Sequence, residues 1–253
     1  MTTKRHSHAL ETPADDAARF SELVSMLTHE MKTPLASICA SSEALLSDLA
    51  LSPEQKHRFL EIIHEEARRL TRMVKDLGFA SRDAGGDPLA IERRIFDLEA
   101  VVRDSVMVFE PLTNELEVKI ECVLAGRDPR LRRCTGDPDR VKQVMENLIG
   151  NALKYAPPGS TVTVKADTFN MSVERVARPV ARVMVADRGP GIDPKHHMTI
   201  FEKYRRVTRE GYKKDGLGLG LYISKRIVEA HGGSIWAANN PEGGAVFTWT
   251  LPL

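Results

Sequence analysis

The feature that most constrains the fold is a pair of long apolar stripes at helical spacing in the first third of the chain. In the first stripe, apolar side chains recur every three or four positions, as on one face of an α-helix. Its members are Phe20, Leu23, Val24, Leu27, Met31, Leu35, Ile38, Leu45 and Leu49. The second stripe consists of Phe59, Ile62, Ile63, Leu70, Met73, Val74 and Leu77. The sequence therefore predicts two successive amphipathic helices.

A new helix start separates the two stripes. Ser52 can act as the N-cap, Pro53 suits the first helical position, and Gln55 can reach back as in a capping box. Because the connection is short, the two helices are predicted to form an antiparallel hairpin. One hairpin cannot cover two apolar stripes, so we expect two copies to pair into a dimeric four-helix bundle. The alternative is a hairpin that docks on a second domain of the same chain.

The composition changes after the second stripe. Residues 82–88 are polar and glycine-rich, and they predict a linker over residues 81–95. The predicted domains are therefore a flexible tail (1–19), the hairpin (20–80), the linker, and a C-terminal domain (96–253).

The C-terminal domain is predicted to mix helices and strands. Helices are expected near 97–110, at 138–155 and after Gly220. Strands are expected at Glu117–Val123, Thr161–Ala166, Val180–Ala186, Ser234–Ala238 and Ala245–Thr250. This pattern predicts an α+β fold, with one largely antiparallel sheet and helices on one of its faces.

The bulk properties exclude several functional classes. The 253 residues carry a net charge of +1, and no nucleic-acid-binding signature is present, so no nucleic-acid partner is expected. Apolar runs end well before the roughly 20 residues of a membrane span. The first twenty residues lack the apolar core of a signal peptide. The three cysteines (Cys39, Cys122 and Cys134) are scattered, so we expect small, buried, reduced thiols in a cytoplasmic protein.

One histidine within the first predicted helix is a candidate nucleophile. His29 lies about 200° around the helix from Leu27 and from Met31, so it points away from the apolar stripe. Thr33 follows one turn later on the same face. Pro34 costs about 3 kcal/mol inside a helix and predicts a kink. Five further histidines are expected to be solvated surface residues: His57, His64, His196, His197 and His231.

The segment from His29 to Leu35 (H-E-M-K-T-P-L) resembles the H-box of two-component histidine kinases. The resemblance implies that His29 carries a phosphoryl group and that Glu30 acts as its base. It also implies that Glu30 and Thr33 can position a water that dephosphorylates a partner protein. A neutral imidazole suits the first role, because its unperturbed pKa lies near 6.5.

The helix predicted at 138–155 presents polar side chains opposite its apolar face. Asn147 and Asn151 lie one turn apart, and amide oxygens in this arrangement can hold Mg²⁺, which prefers hard oxygen ligands. Lys154 is placed to meet a phosphate, and Tyr155 lies at the edge of the same face. Two exposed asparagines on a helix are otherwise ordinary surface residues.

Two glycine-containing segments follow. Asp187 ends a predicted strand and begins Asp-x-Gly-x-Gly, in which Gly189 and Gly191 would let a ligand approach the backbone. Alone, this segment reads equally well as a tight turn capped by Asp187. Gly216, Gly218 and Gly220 precede a helical stripe, so bare N–H groups at a positive helix terminus are available to phosphate. Leu221 follows directly and is included in the predicted site.

The order of these segments resembles the N, G1, F and G2 boxes of the histidine-kinase ATP-binding domain. The resemblance covers about residues 20–253 and implies a Bergerat-type ATP fold. It implies that Asn147 and Asn151 bind magnesium, that Asp187 binds the adenine amine, and that Tyr155 packs near adenine. The glycines would cradle the phosphates, and Phe201 belongs to the F box. Lys203-Tyr204 replaces the more usual Pro/Arg-Phe, so the contacts of this box with the hairpin can differ.

The positively charged segment between the F box and Gly216 resembles a mobile ATP lid, and one of its cations, such as Arg206, is expected to meet the phosphates. The resemblance implies ATP and Mg²⁺ as ligands, a homodimer, and a response-regulator receiver domain as partner. A sensor or membrane region upstream is compatible with it. Two other functions remain open, an ATP hydrolase or clamp of the gyrase type and a non-enzymatic dimeric scaffold. The hydrolases carry a Glu base where this chain has Asn147.

Overall fold

The structure is a computed structural model that describes residues 13–47, 51–84, 89–124, 128–173, 176–206 and 217–253. The chain separates into two compact units, residues 1–75 with 215–217, and residues 76–214 with 218–253. The first contains most of the helical hairpin, and the second contains a mixed sheet with its helices.

The hairpin consists of α1 (Pro13–Leu46) and α2 (Pro53–Ala84). The predicted capping box is confirmed, because the Ser52 N–H donates to Gln55 Oε1 at 2.9 Å and the Gln55 N–H donates to Ser52 Oγ at 3.2 Å. Helix α1 begins inside the predicted tail, and α2 extends to Ala84, inside the predicted linker. The turn residues 48–50 lie outside the described residues.

The second unit is built on a five-stranded sheet. Its strands are β2 (Lys119–Leu124), β4 (Thr161–Val173), β5 (Val176–Ala186), β6 (Ile235–Asn239) and β7 (Ala245–Pro252). They lie side by side in the order β2-β4-β5-β7-β6. Strands β2 and β4 pair in parallel, and every other pair in the sheet is antiparallel. The α+β class and the largely antiparallel sheet are therefore confirmed.

A second, two-stranded sheet was not predicted. It pairs β1 (Arg94–Phe96) with β3 (Cys134–Gly136) in antiparallel register. Strands of three residues carry too little alternation to be recognised in a sequence. The first of them also falls across the end of the predicted linker and the start of the next domain.

The helices of the second unit are α3 (Leu98–Met107), α4 (Glu110–Glu115), α5 (Pro138–Tyr155) and α6 (Gly220–Ala230). Short 3₁₀ turns occupy Pro129–Arg133, Pro194–His196 and Thr199–Phe201. Helix α5 begins where predicted because the Asp137 carboxylate accepts the N–H groups of Asp139 and Arg140, both at 3.1 Å. Its apolar face is fully buried, as Met145, Leu148 and Ile149 show.

Two expectations about single residue types were wrong. His231 is buried rather than solvated, because its ring joins the end of α6 to the start of α5. Cys39 and Cys122 are exposed, and of the three cysteines Cys134 alone is buried. Within the described residues, no helix has both the length and the apolar character of a membrane span.

Candidate functional site

The predicted acceptor lies on an exposed turn of α1. His29 is exposed, whereas its neighbour Glu30 is only 8% exposed. A guanidinium nitrogen of Arg69, on α2, lies 3.8 Å from Glu30 Oε2. Thr33 is exposed and Pro34 is buried. The imidazole of His29 is therefore accessible. The carboxylate of the next residue, Glu30, is buried and lies near the guanidinium of Arg69.

Asn147 is held by the first turns of α6. Its Nδ2 donates to the Gly220 carbonyl at 3.2 Å and lies 3.4 Å from Ser224 Oγ. Because these contacts use the nitrogen of the amide, its oxygen is directed elsewhere and can serve as a ligand. Asn151 follows one turn later and is half-buried.

The donor set around Asn147 fits Mg²⁺ better than a softer metal. The described residues contain no cluster of three or more His, Cys, Asp or Glu that could hold a metal ion. A cation here would rest on amide oxygens, on phosphate oxygens and on water, as Mg²⁺ commonly does.

Asp187 is the buried carboxylate of the site, with 3% of its surface exposed. Its Oδ1 accepts the Gly189 N–H at 2.8 Å and the Ala245 N–H at 3.1 Å. Burial raises the pKa of Asp187 above its ordinary value, although the two hydrogen bonds oppose the rise. Both bonds go to one oxygen, so the other oxygen can accept a hydrogen bond from a ligand amine.

The glycines around Asp187 are required by close packing. A Cβ at Gly189 would lie 2.6 Å from the Tyr155 carbonyl, and a Cβ at Gly244 would overlap the carbonyl of Asp187. Gly191 has a φ of +72°, and a Cβ there would lie 3.0 Å from Asn239 Oδ1. Even the smallest side chain at these positions would push the backbone out of place.

The start of α6 has the features of an anion site. No side chain among the described residues caps its N-terminus, in contrast to α3, which Asp97 caps, and α5, which Asp137 caps. Its first N–H groups therefore lack the usual side-chain acceptor, and the helix dipole favours a negative charge there.

Gly218, just before α6, has a φ of +67° and packs on the preceding loop. A Cβ at Gly218 would lie 2.8 Å from the Arg205 carbonyl oxygen. The neighbouring Tyr204 also has a positive φ, of 61°, a conformation that costs energy in a residue with a side chain. The predicted residue Gly216 and the lid segment 207–216 lie outside the described residues.

Two family models match this chain. Residues 21–85 match the His Kinase A (phospho-acceptor) domain, and residues 136–253 match the family of histidine kinase-, DNA gyrase B- and HSP90-like ATPases. Sensor histidine kinase WalK of Bacillus subtilis (strain 168) is 34% identical over 91% of this chain and 36% of its own length. Hybrid signal transduction histidine kinase D of Dictyostelium discoideum is 33% identical over 90% of this chain and 14% of its own length.

A solved structure extends this similarity to three dimensions. Full-length ShkA, in complex with AMPPNP, superimposes with a TM-score of 0.63 at 26% identity, over 92% of this chain and 45% of the other. The chain thus spans less than two thirds of the length of each of these relatives. It belongs to the sensor histidine kinases of two-component systems.

The remaining predicted residues of this histidine kinase are distributed around α5 and α6. Tyr155 ends α5 beside Gly189, and the Lys154 ammonium lies 5.6 Å from its ring centroid. Leu221 and Arg206 are half-buried. Phe201 is 5% exposed and packs edge-on against Phe247, with ring centroids 6.4 Å apart. Its burial indicates that it supports the site from the core.

Sequence reasoning missed a residue that holds the Asp187 loop of the kinase in place. Asn239, at the end of β6, accepts the Ile192 N–H at 2.7 Å and donates to the Ile192 carbonyl at 2.9 Å. His197 Nε2 lies 3.2 Å from the same carbonyl. The only signal in the sequence was a pair of asparagines in a predicted hairpin loop, which reads as an ordinary turn.

The loop between β6 and β7 also contacts Asp187 directly. Asn240 Nδ2 lies 3.4 Å from the Asp187 carbonyl, and the Asp187 N–H donates to the Ala245 carbonyl at 2.9 Å. Arg188 forms an ion pair with Glu242 and donates to its carbonyl at 3.2 Å. This loop therefore forms one wall of the kinase's predicted adenine site, although it is far from Asp187 in the sequence.

Proposed function

We propose that this chain transfers the γ-phosphoryl group of ATP to His29 and passes it on to an aspartate of a response-regulator receiver domain. The observation that carries the proposal is an exposed histidine in an H-box on the same chain as a Bergerat-type ATP-binding domain. The similarity to sensor histidine kinases supports both halves of the reaction.

In the proposed first step, the unprotonated ring nitrogen of His29 attacks the γ-phosphorus in line with the leaving oxygen. A nitrogen–phosphorus bond forms while the bond to the β-γ bridging oxygen breaks, and ADP leaves. The ring then carries an excess proton, which Glu30 is placed in the sequence to accept. Positioning of the two reactants supplies most of the rate enhancement.

The ATP-binding residues each have a proposed role. Asp187 would accept a hydrogen bond from the adenine amine, and Tyr155 would pack near the base. The start of α6, with Gly218 and Gly220, would take the phosphates, together with Lys154 and lid cations such as Arg206. Asn147 and Asn151 would hold Mg²⁺, which neutralises charge on the phosphate oxygens when it is bound.

The proposed partners follow from the hairpin. A second copy would cover the apolar side chains that one hairpin leaves exposed, among them Leu35 and Val74. The receiver domain would dock beside His29, and Glu30 with Thr33 would position a water for the reverse, phosphatase reaction.

Because cells supply ATP in the cytoplasm, the proposed reaction would take place there. An upstream sensor would supply the signal.

The proposal is tested by incubating the purified chain with γ-labelled ATP and Mg²⁺, followed by acid and base treatment. A phosphohistidine is acid-labile and base-stable. We expect such a label on the wild-type protein and on neither His29→Ala nor Asn151→Ala. His29→Ala should still bind ATP, which serves as the control for folding.

Two results would contradict the proposal. Full labelling of His29→Ala would mean that another residue is the acceptor. Release of free phosphate without any labelled protein would favour the hydrolase instead. That second outcome is not expected, because Asn147 stands where the hydrolases carry their water-activating glutamate.

A further inference from the structure

The last turn of α2 carries a partly buried carboxylate that the proposed reaction does not use. Asp83 belongs to the same compact unit as the ATP-binding sheet, and its side chain is only 11% exposed. A carboxylate so far removed from water is stable only with charged or hydrogen-bonding partners. The side chains that contact Asp83 therefore indicate which elements it connects.

Asp83 meets three side chains from two separate segments. Arg226 Nε donates to Asp83 Oδ1 at 2.7 Å, and the Tyr222 hydroxyl donates to Oδ2. The Lys203 ammonium lies 3.3 Å from Oδ2. The two oxygens thus bind cations on different segments at once, which fixes those segments relative to the end of α2.

Lys203 strengthens the same junction with two further contacts. Its ammonium donates to the Ala80 carbonyl, one turn earlier on α2, at 3.3 Å. It also lies 5.0 Å from the centroid of the Tyr222 ring, within the range of a cation–π interaction. Lys203 is one of the two positions at which this chain departs from the usual F-box pattern.

The partners of Asp83 flank the proposed phosphate site in the sequence. Tyr222 and Arg226 lie on α6, whose N-terminus at Gly220 no described side chain caps and which is the proposed phosphate-binding end. Lys203 lies just before Tyr204, which has the strained backbone and packs against Gly218. A helix moves as a rigid body over one or two turns, so a displacement at Arg226 is carried to Gly220.

We propose that Asp83 is a positioning residue that ties the last turn of α2 to α6 and to Lys203, so that the end of the hairpin helix controls how tightly the ATP phosphates bind. This inference rests on the proposed function, because it assumes that α6 binds those phosphates. It assigns to α2 a second role, in which a signal that shifts this helix alters nucleotide affinity.

The test compares the wild-type chain with Asp83→Asn, which keeps the shape of the side chain and removes its charge. Calorimetry measures the affinity for Mg²⁺-ATP and for adenosine, which lacks the phosphates. We expect the ATP affinity to fall about tenfold, in the middle of the range for coupled sites, while the adenosine affinity is unchanged. A residue that only stabilised the fold would not separate the two ligands.

Glu229→Gln is the matched control. Glu229 also contacts Arg226, at 3.4 Å on the same helix, but has no contact with α2 among the described residues. This variant should bind both ligands as the wild type does. Arg226→Gln, alone and combined with Asp83→Asn, completes a double-mutant cycle. The combination should cost no more ATP affinity than Asp83→Asn alone, because Arg226→Gln removes one of the contacts that Asp83→Asn already weakens.

Three results would overturn the inference. They are unchanged ATP affinity in Asp83→Asn, equal losses for ATP and adenosine, and additive effects in the cycle. In each case the wild type would still bind ATP and label His29, so the proposed function would stand. A wild type that binds no ATP would instead overturn the proposed function, and the role of Asp83 with it.

Discussion

The hairpin and the nucleotide-binding unit differ in how completely each buries its apolar side chains. In the hairpin, Leu35 and Val74 are more than half exposed, at 55% and 58%. In the nucleotide-binding unit, the large side chains of Trp249, Leu148 and Leu98 are fully buried. A sheet covered by helices closes its own core, whereas two helices alone cannot cover two apolar faces.

This difference predicts that only one of the two regions depends on a second copy of the chain. The contacts of Asp187 among the described residues lie within the nucleotide-binding unit, so its binding properties should not require a second copy of the chain. The hairpin lacks part of its core, so its stability should depend on protein concentration. The predictions below test whether the two regions can be perturbed separately.

The largest expected effect is on the hairpin. Val74→Glu would place a charge in the proposed interface between two copies, and a symmetric dimer would carry two such charges. We expect the dissociation constant of the dimer to rise by at least about 100-fold, because burying an unpaired carboxylate costs several kcal/mol. Analytical ultracentrifugation measures this directly, and ATP affinity should be unchanged.

Lys75→Gln is the matched control for Val74→Glu, since it changes the net charge by the same −1 at an adjacent exposed position. It should leave the dimer largely intact. A Val74→Glu protein that remains fully dimeric at micromolar concentration would mean that another surface covers the hairpin. The alternative in which the hairpin docks on its own second domain would then regain support.

The second effect is on the nucleotide-binding unit. Asp187→Asn keeps the size of the side chain but replaces a charged acceptor with an amide, and hydrogen bonds to charged groups contribute about 1.5–3 kcal/mol. We expect a loss of ATP affinity of about 30-fold, with the dimer unaffected. Asp193→Asn, in the exposed part of the same loop, is the control. Equal ATP affinity in Asp187→Asn and wild type would remove Asp187 from the adenine site.

A smaller effect is expected from the loop that sequence reasoning missed. Asn239→Asp removes the Nδ2 donor and places an oxygen beside the Ile192 carbonyl, so the Asp187 loop loses one of its attachments. Because one hydrogen bond contributes about 1 kcal/mol, we expect ATP affinity to fall about fivefold. Fluorescence titration measures this, with Asn170→Asp on an exposed strand position as control. An unchanged affinity would show that the loop holds its position without Asn239.

The smallest effect is a dependence of stability on pH. His231 accepts the Asp137 N–H at its Nε2, at 2.9 Å, so its ring is neutral there, and burial lowers its pKa below the ordinary value. The unfolded state takes up a proton near pH 6.5, which the folded state resists. The contribution of His231 to the free energy of unfolding should therefore be fully present above pH 6.5. Below pH 6.5 the free energy of unfolding should decrease, by at most about 1.4 kcal/mol per pH unit.

Urea unfolding of the nucleotide-binding unit at pH 7.5, 6.5 and 5.5 tests the role of His231. His231→Gln should reduce the slope of stability between pH 6.5 and 5.5. His57→Gln on the exposed face of the hairpin should leave that slope as it is. Equal slopes in wild type and His231→Gln would mean that other groups govern the acid response of this unit.

Much of the local structure could be predicted because it depends on neighbouring residues. The capping box at Ser52 needs only two side chains three residues apart, and α5 starts at a proline that follows a capping aspartate. The order of the glycine and asparagine motifs was likewise readable, because each motif is short and contiguous. The site residues His29, Asn151 and Asp187 were selected on that basis, and their roles stay predictions.

The errors came from contacts between residues that are distant in the sequence. His231 was predicted to be a surface residue because an isolated histidine usually is, yet it packs on Gly136, where a Cβ would lie 2.6 Å from its ring. The strands β1 and β3 were missed because each is three residues long and stable only through the other. Helices α1 and α2 also continue into the polar segments next to the apolar stripes, because polar residues do not by themselves end a helix.

The sequence by itself determined most of the helices and the strands of the large sheet, where several of them begin, and which family they resemble. These properties follow from periodicity and from groups within one turn of each other. The tertiary structure alone decided that Glu30 is buried near Arg69, that Asn239 holds the Asp187 loop, and that Asp83 joins α2 to α6. Such pairings depend on the packing of separate elements in space, which local spacing does not encode.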